Sequence, residues 1–219
     1  LIEQSRKSNC KKFVMVGTVC SYPKYTEVPF KEDDIWNGYP EETNAPYGIA
    51  KKTLMQMIIS YKEQYKFNGI NLIPVNMYGP HDNFNPDSSH VIPAIILKIK
   101  NAMKQEDHED LEVWGTGSAS REFLYVEDSA EAIISAMEKL EDPNPVNIGT
   151  GKEIKIFDLV NMIAEEMGFQ GKIVWDKTKP DGQPRRCLDT SRAKELFGFE
   201  SKTSLREGIK KTLEWYESL

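Results

Sequence analysis

Two short apolar runs bracket one long helical pattern in the first third of this chain, and few folds accept that order. Phe13-Val14-Met15-Val16 is β-branched and stops at Gly17-Thr18. Residues 70–75 form the second run. Mostly apolar strands of this kind are buried on both faces, as in parallel sheets. Parallel neighbours need a crossover, and the pattern from Asn44 to about Tyr65 supplies it. Ile49, Leu54, Met57, Ile58 and Tyr61 fall at helical spacing, Pro46 suits the first turn, and Asn44 can cap it.

The remainder keeps alternating. Strands are expected at 111–114, 123–126, 146–149 and 172–175. Helices are expected at 91–103, from a cap at Asp128 to 140, at 156–167, 191–197 and 204–217. Residues 1–9 read as the last turns of a helix whose beginning is absent. Residues 21–44 carry Pro23, Pro29 and Pro40 and read as a long loop, and 76–80 as the loop leaving the second strand. The expectation is a doubly wound parallel α/β sheet followed by a smaller α/β lobe. The division falls near residue 97, with strands of 98–219 returning to the first unit.

Lys and Arg number 28 against 34 Asp and Glu, a net charge of −6. This balance disfavours general binding to nucleic acid or anionic membranes, since phosphate surfaces attract net basic proteins. No apolar run approaches the roughly 20 residues of a membrane span. Cys10, Cys20 and Cys187 are odd in number and lack metal-site spacing. They make neither a disulfide framework nor a metal site, and a cytoplasmic chain with reduced thiols is expected. No signal or transit peptide is read at Leu1.

Three groupings have the means for chemistry. Tyr47 and Lys51 are four apart on the expected helix and share a face, where an ammonium favours the phenolate form of tyrosine. Thr18 sits at the carboxyl end of a strand, where α/β sheets bind ligands. About one Tyr-x-x-x-Lys is expected by chance in such a chain, so a half-buried tyrosine and a solvated lysine fit equally well. Cys20 and His90 both carry groups that ionise near neutrality and so suit proton exchange. Equally, Cys20 suits a small buried filler, and His90 a hydrogen bonder near a helix cap. Lys98, Arg121 and Arg186 are cations on an acidic chain, and arginine binds phosphate bidentately. The other readings are a solvated cation, a core indole at Trp114 and a turn-forming aspartate at Asp181.

The segments around these residues carry a resemblance. Val16-Gly17-Thr18-Val19-Cys20-Ser21-Tyr22-Pro23, Pro46-Tyr47-Gly48-Ile49-Ala50-Lys51 and Pro74-Val75-Asn76-Met77-Tyr78-Gly79-Pro80 resemble extended short-chain dehydrogenase/reductases. His81-Asp82-Asn83-Phe84, Ser89-His90-Val91-Ile92-Pro93-Ala94, Val113-Trp114-Gly115, Arg121-Glu122-Phe123-Leu124 and Lys179-Pro180-Asp181-Gly182 narrow it to the GDP-L-fucose synthase family.

The resemblance covers essentially the whole chain and implies a Rossmann-type fold. It also implies 3,5-epimerisation and 4-reduction of GDP-4-keto-6-deoxy-D-mannose with NADP(H), and a homodimer. It makes Cys20 the base and His90 the acid of epimerisation. Tyr47 becomes the proton donor, Thr18 its partner at the substrate oxygen, and Lys51 the ribose-binding cation. It places Pro74, Val75, Asn76, Met77 and His90 against the cofactor, and Lys98, Trp114, Arg121 and Asp181 against the sugar nucleotide. Arg186 is a weaker candidate there.

Two features depart from the pattern. The family usually has Ser where this chain has Thr18, and a threonine hydroxyl still donates and accepts. No Gly-x-x-Gly-x-x-Gly follows a strand in this chain. The expectation is therefore a Rossmann domain lacking its amino-terminal strands. Alternatives are a related nucleotide-sugar epimerase or reductase, and a noncatalytic fragment that binds nucleotide sugars.

Overall fold

A computed structural model describes residues 1–104 and 110–218. His108, expected to be a surface or loop residue, lies outside the described residues. Helix α1 (Ile2–Lys7) leads into strand β1 (Phe13–Val16), and helix α2 (Ala45–Tyr65) crosses over to β2 (Gly69–Pro74). Strand β3 (Asn76–Tyr78) precedes α3 (Val91–Met103), β4 (Leu111–Trp114) and β5 (Ser120–Tyr125). Then come α4 (Val126–Lys139), β6 (Pro145–Ile148), β7 (Glu153–Lys155), α5 (Ile156–Glu166), β8 (Ile173–Asp176), α6 (Ser191–Phe197) and α7 (Leu205–Glu217).

The α/β expectation holds. β2 lies between β1 and β6, all parallel, and all six of its residues are buried. A strand covered on both faces needs apolar side chains in both directions, and its one polar side chain, buried Asn71, donates to the Met55 and Pro143 carbonyls. β5 pairs parallel with β3 and antiparallel with β7, and β4 pairs parallel with β8. One buried cluster gathers Met15, Met55, Ile58 and Leu72 with Leu124, Ala136, Val146, Leu188 and Phe197. A second gathers Tyr78, Ile92, Ile96 and Ile99 with Leu159, Ile163 and Ile209. Late segments thus return to the first core.

Several expected details are corrected. Residues 76–78 form a strand and not a loop, because β5 offers them a parallel partner. Strand β7 was not anticipated; Glu-Ile-Lys has too little apolar content to announce itself. Asp128 does not cap α4, whose N-cap is Tyr125. It is buried inside the first turn and accepts from the Lys202 and Thr203 backbone N–H groups and the Thr203 hydroxyl. Asn44 occupies the N-cap of α2 without a capping bond, because its amide donates to Glu41. The long loop at 21–44 is partly ordered as a 3-10 turn at Glu32–Trp36. Buried Asn147 pins it, accepting from the Tyr22 hydroxyl and donating to the Phe30 carbonyl.

Two close approaches set the site. At Gly48 a Cβ would stand 2.4 Å from the Cys20 carbonyl oxygen, so only glycine lets α2 lie on the 3-10 turn Val19–Ser21. The Ser21 hydroxyl donates to the Gly48 carbonyl at 3.1 Å. The second is Glu122, fully buried on β5. Its carboxylate accepts from the backbone N–H groups of Thr150, Gly151 and Leu188, and from the Thr150 hydroxyl. Burial pushes its pKa up, and these bonds oppose that shift. Replacing Glu122 with alanine removes the acceptor of three backbone donors, of which the Leu188 N–H is buried and the Thr150 and Gly151 N–H groups part-buried. We expect Glu122→Ala to cost about 3–5 kcal/mol and Glu122→Gln, which keeps one acceptor, about 1–2 kcal/mol, read from urea denaturation.

Candidate active site

A cavity of about 770 Å³ opens at the carboxyl ends of β1 and β2. That is where side chains leaving parallel strands converge on a ligand. Gly17, Thr18 and Cys20 line it from the end of β1, and Tyr47 from α2. Pro74, Val75, Asn76 and Met77 line it from the end of β2, and Ser89 and His90 from the residues before α3. Arg121 of β5 and Arg186 complete one wall.

Each side chain is placed for a local reason. Thr18 is buried, and its hydroxyl accepts from the Cys20 N–H at 3.2 Å, capping the turn that presents the thiol. Tyr47 stands in the first turn of α2, beside the Gly48 contact, and is 51% exposed with its ring at the cavity. His90 is the N-cap residue of α3 and makes no capping bond, which leaves its imidazole uncommitted by that helix. Val75 is buried and the Asn76 amide donates to the Glu122 carbonyl, so this stretch offers a largely apolar wall. The Met77 sulfur accepts from the Ser129 hydroxyl. His81 is a loop residue 4.9 Å from the Trp215 ring that also borders the cavity.

Lys51 takes a different position. Its ammonium donates to the Val16 carbonyl at 2.8 Å and lies 5.8 Å from the centre of the Tyr47 ring. It lines a separate groove of about 510 Å³ along β1, with Phe13, Val14, Leu54 and Met57. That groove runs beside the edge of β1 that no other strand covers among the described residues.

The remaining candidates gather outside the cavity. Trp114, at the end of β4, is 62% exposed and is not a core indole. The ammonium groups of Lys98 and Lys179 each lie 5.4 Å from its ring. Both Asp181 oxygens are taken up by Thr116, which donates its backbone N–H at 2.6 Å and its hydroxyl at 2.8 Å. These bonds lower the Asp181 pKa. Arg121 joins the two areas: it lines the cavity and feels the Asp181 charge. Burial and then the neighbouring charge of Arg186 lower its pKa.

Sequence reasoning gave Arg186 only a weak part, yet its guanidinium lies 3.6 Å from the Cys20 sulfur. It also missed Glu122 as the anchor of that wall. A contact across 166 residues leaves no local signal. Among the described residues, no group of three or more His, Cys, Asp or Glu is arranged to hold a metal ion. No described helix is long and apolar enough to cross a membrane.

Comparisons with known proteins agree with this geometry. Residues 1–149 match the model of the NAD dependent epimerase/dehydratase family. A probable GDP-L-fucose synthase of Oryza sativa subsp. japonica is 42% identical over 206 residues, covering 94% of this chain. The chain spans 62% of that relative's length. The crystal structure of a Campylobacter jejuni GDP-6-OMe-4-keto-L-xylo-heptose reductase superposes with a TM-score of 0.92 at 29% identity, covering 99% of this chain and 73% of that one. A Naegleria fowleri GDP-L-fucose synthetase bound to NADP superposes with a TM-score of 0.90 at 28% identity, covering 98% and 68%. The paired motifs, the parallel sheet and these likenesses lead to one conclusion: the chain belongs to the NAD dependent epimerase/dehydratase family.

Proposed function

We propose that this chain carries the sugar-converting site of a bifunctional enzyme. It would epimerise C3 and C5 of GDP-4-keto-6-deoxy-D-mannose and reduce C4, giving GDP-L-fucose. The observation that carries this reading is the single cavity shared by Thr18, Cys20, Tyr47 and His90. The GDP-L-fucose synthase relative and the GDP-sugar reductase neighbour support the substrate class.

A ketone at C4 acidifies the neighbouring C–H bonds, so one pocket serves both steps. The Cys20 thiolate takes the proton from C3 and later from C5, and the electron pair of each C–H bond moves into the enolate. The His90 imidazolium returns a proton on the opposite face. Each exchange leaves the sugar with its original atoms and an inverted centre. The acid and base must sit within reach of one carbon from two sides, which a cavity walled by separate loops allows.

The residues present fit the nicotinamide end of NADP(H). Pro74 and Val75 form an apolar wall for a flat ring, and Met77 lies beside them. The NADP-bound neighbour supports this cofactor. NADPH, when bound, supplies a hydride to the carbonyl carbon. Tyr47 donates its proton to the C4 oxygen, and the Thr18 hydroxyl hydrogen-bonds the same oxygen. Lys51, one turn further along α2, stabilises the phenolate left behind and holds the cofactor ribose.

In this reading Arg121 binds the substrate pyrophosphate, and Lys98, Trp114 and Asp181 contact the nucleotide side. Residues 1–97 supply the catalytic groups, and 98–219 mainly the sugar-nucleotide contacts, interleaved with strands of the first sheet. The outer face of α2, with Ile49 and Leu54 exposed, is the surface assigned to a homodimer.

The test is exchange in deuterium oxide. With the keto sugar present, C3 and C5 should take up deuterium, and Cys20→Ser should slow that uptake by about 100-fold or more. Unchanged uptake overturns the Cys20 role. Tyr47→Phe should slow NADPH oxidation by about 100- to 10,000-fold while deuterium uptake continues.

The heptose reductase likeness favours a second reading, C4 reduction without epimerisation. It predicts NADPH oxidation with no deuterium at C3 or C5. Calorimetric titration separates both from a noncatalytic fragment, which would bind GDP and not NADPH.

A further inference from the structure

Among the described residues, Arg186 is the one charged side chain in contact with the Cys20 sulfur, and it is held there by both halves of the chain. Its Nη1 lies 3.6 Å from Sγ, within reach of an N–H donor to sulfur. Its Nε donates to the Gln183 side-chain oxygen at 2.6 Å, and the Gln183 amide nitrogen donates to the Lys24 carbonyl at 2.6 Å. The second bond fixes which way the Gln183 amide faces, so its oxygen is turned to the arginine.

The backbone around Arg186 is clamped as well. The Ser120 N–H donates to the Pro184 carbonyl, the Phe30 N–H to the Cys187 carbonyl, and the Leu188 N–H to Glu122. Arg185 points elsewhere and pairs with Glu153. Arg186 pairs with no carboxylate among the described residues, so its charge is free to act on the cavity.

The other charged or titratable groups bordering this cavity are Tyr47 from α2, Tyr78 from β3, whose hydroxyl donates to the Leu205 carbonyl, and His81, Asp82 and His90 from the segment between β3 and α3. Arg121 comes from β5. Lys51 of α2 is engaged with the Val16 carbonyl. The one carboxylate among them, Asp82, is bonded through Oδ1 to the Asn83 N–H.

We propose that Arg186 is a positioning residue for Cys20, donating to its sulfur and holding it toward the cavity in which the sugar proton is removed. The inference rests on the base role of Cys20 for its purpose, and on the contact alone for its chemistry. A guanidinium that donates to the sulfur fixes its direction, and so its approach to a proton on carbon or to an alkylating agent. The arginine never exchanges a proton itself.

The test uses iodoacetamide on the full chain, with neither sugar nor cofactor, followed by peptide mass spectrometry. Exposed Cys10 serves as the reference. Cys187 is buried, with its pKa pushed up to about 12, so it stays unlabelled while the fold is intact. Arg186→Gln should lower the Cys20 alkylation rate at pH 7 about tenfold relative to Cys10. Arg186→Lys should restore most of the rate.

Equal rates at pH 7 for wild type and Arg186→Gln would overturn the proposal. If Arg186→Gln exposes Cys187 to label, Gln183→Ala decides in its place. A fall of a few-fold at pH 7 supports the anchored contact, and a wild-type rate overturns it. Deuterium uptake with an unchanged Cys20 rate in Arg186→Gln would leave the proposed reaction standing without Arg186. A shifted rate with no uptake in wild type would leave the contact standing without the reaction.

Discussion

A single buried carboxylate holds this molecule's working parts in register. Glu122 sits on β5, yet its bonds go to the turn between β6 and β7 and to the segment before α6. An apolar side chain in its place would leave the buried Leu188 N–H without a partner and untie the part-buried Thr150 and Gly151 N–H groups. Gly149 belongs to the same arrangement. A Cβ there would stand 2.3 Å from the Glu122 oxygen. The cationic wall of the cavity is a product of this clamp, since Arg121 precedes Glu122 on β5 and Arg186 lies two residues before Leu188.

The candidate residues divide by location in a way their spacing in sequence does not show. Thr18, Cys20, Tyr47, His90 and Arg121 line one open cavity, whereas Lys98, Trp114 and Asp181 share an exposed patch with Lys179. Asp181 shapes that patch from within: its bonds to Thr116 tie the 115–117 turn to the loop after β8. The hydroxyl, thiol and imidazole groups thus face one another across a cavity, and the indole lies on open surface beside two ammonium groups.

Much of the fold was legible because periodicity and burial coincide. The run at 13–16 is a strand because it has one register on the face of β2, and the helix at 91–103 is bounded as its apolar spacing requires. The site was legible in part for the same reason: strand ends mark where ligands bind, and Thr18 and Val75 fall there. What escaped was set by tertiary partners. Residues 76–78 become a strand only against β5, and Glu-Ile-Lys at 153–155 only against its other end. Asp128 resembled a cap, but its carboxylate serves Lys202 and Thr203. A lone Glu in a strand gives no hint that it will accept from three backbone N–H groups of two other segments.

The separation between Cys20 and Arg186 has a consequence for the order in which the site comes into being. The sulfur and its guanidinium are 166 residues apart, and the clamp between them closes on Leu188. A chain made from its amino terminus has the turn bearing the thiol long before any of the cationic wall has been synthesised. The cysteine therefore waits without its guanidinium for most of the time the chain is being made. That contact arrives late, with one short stretch between β8 and α6, and only α6 and α7 follow it. The wall beside the sulfur is thus among the later parts of the molecule to be put in place.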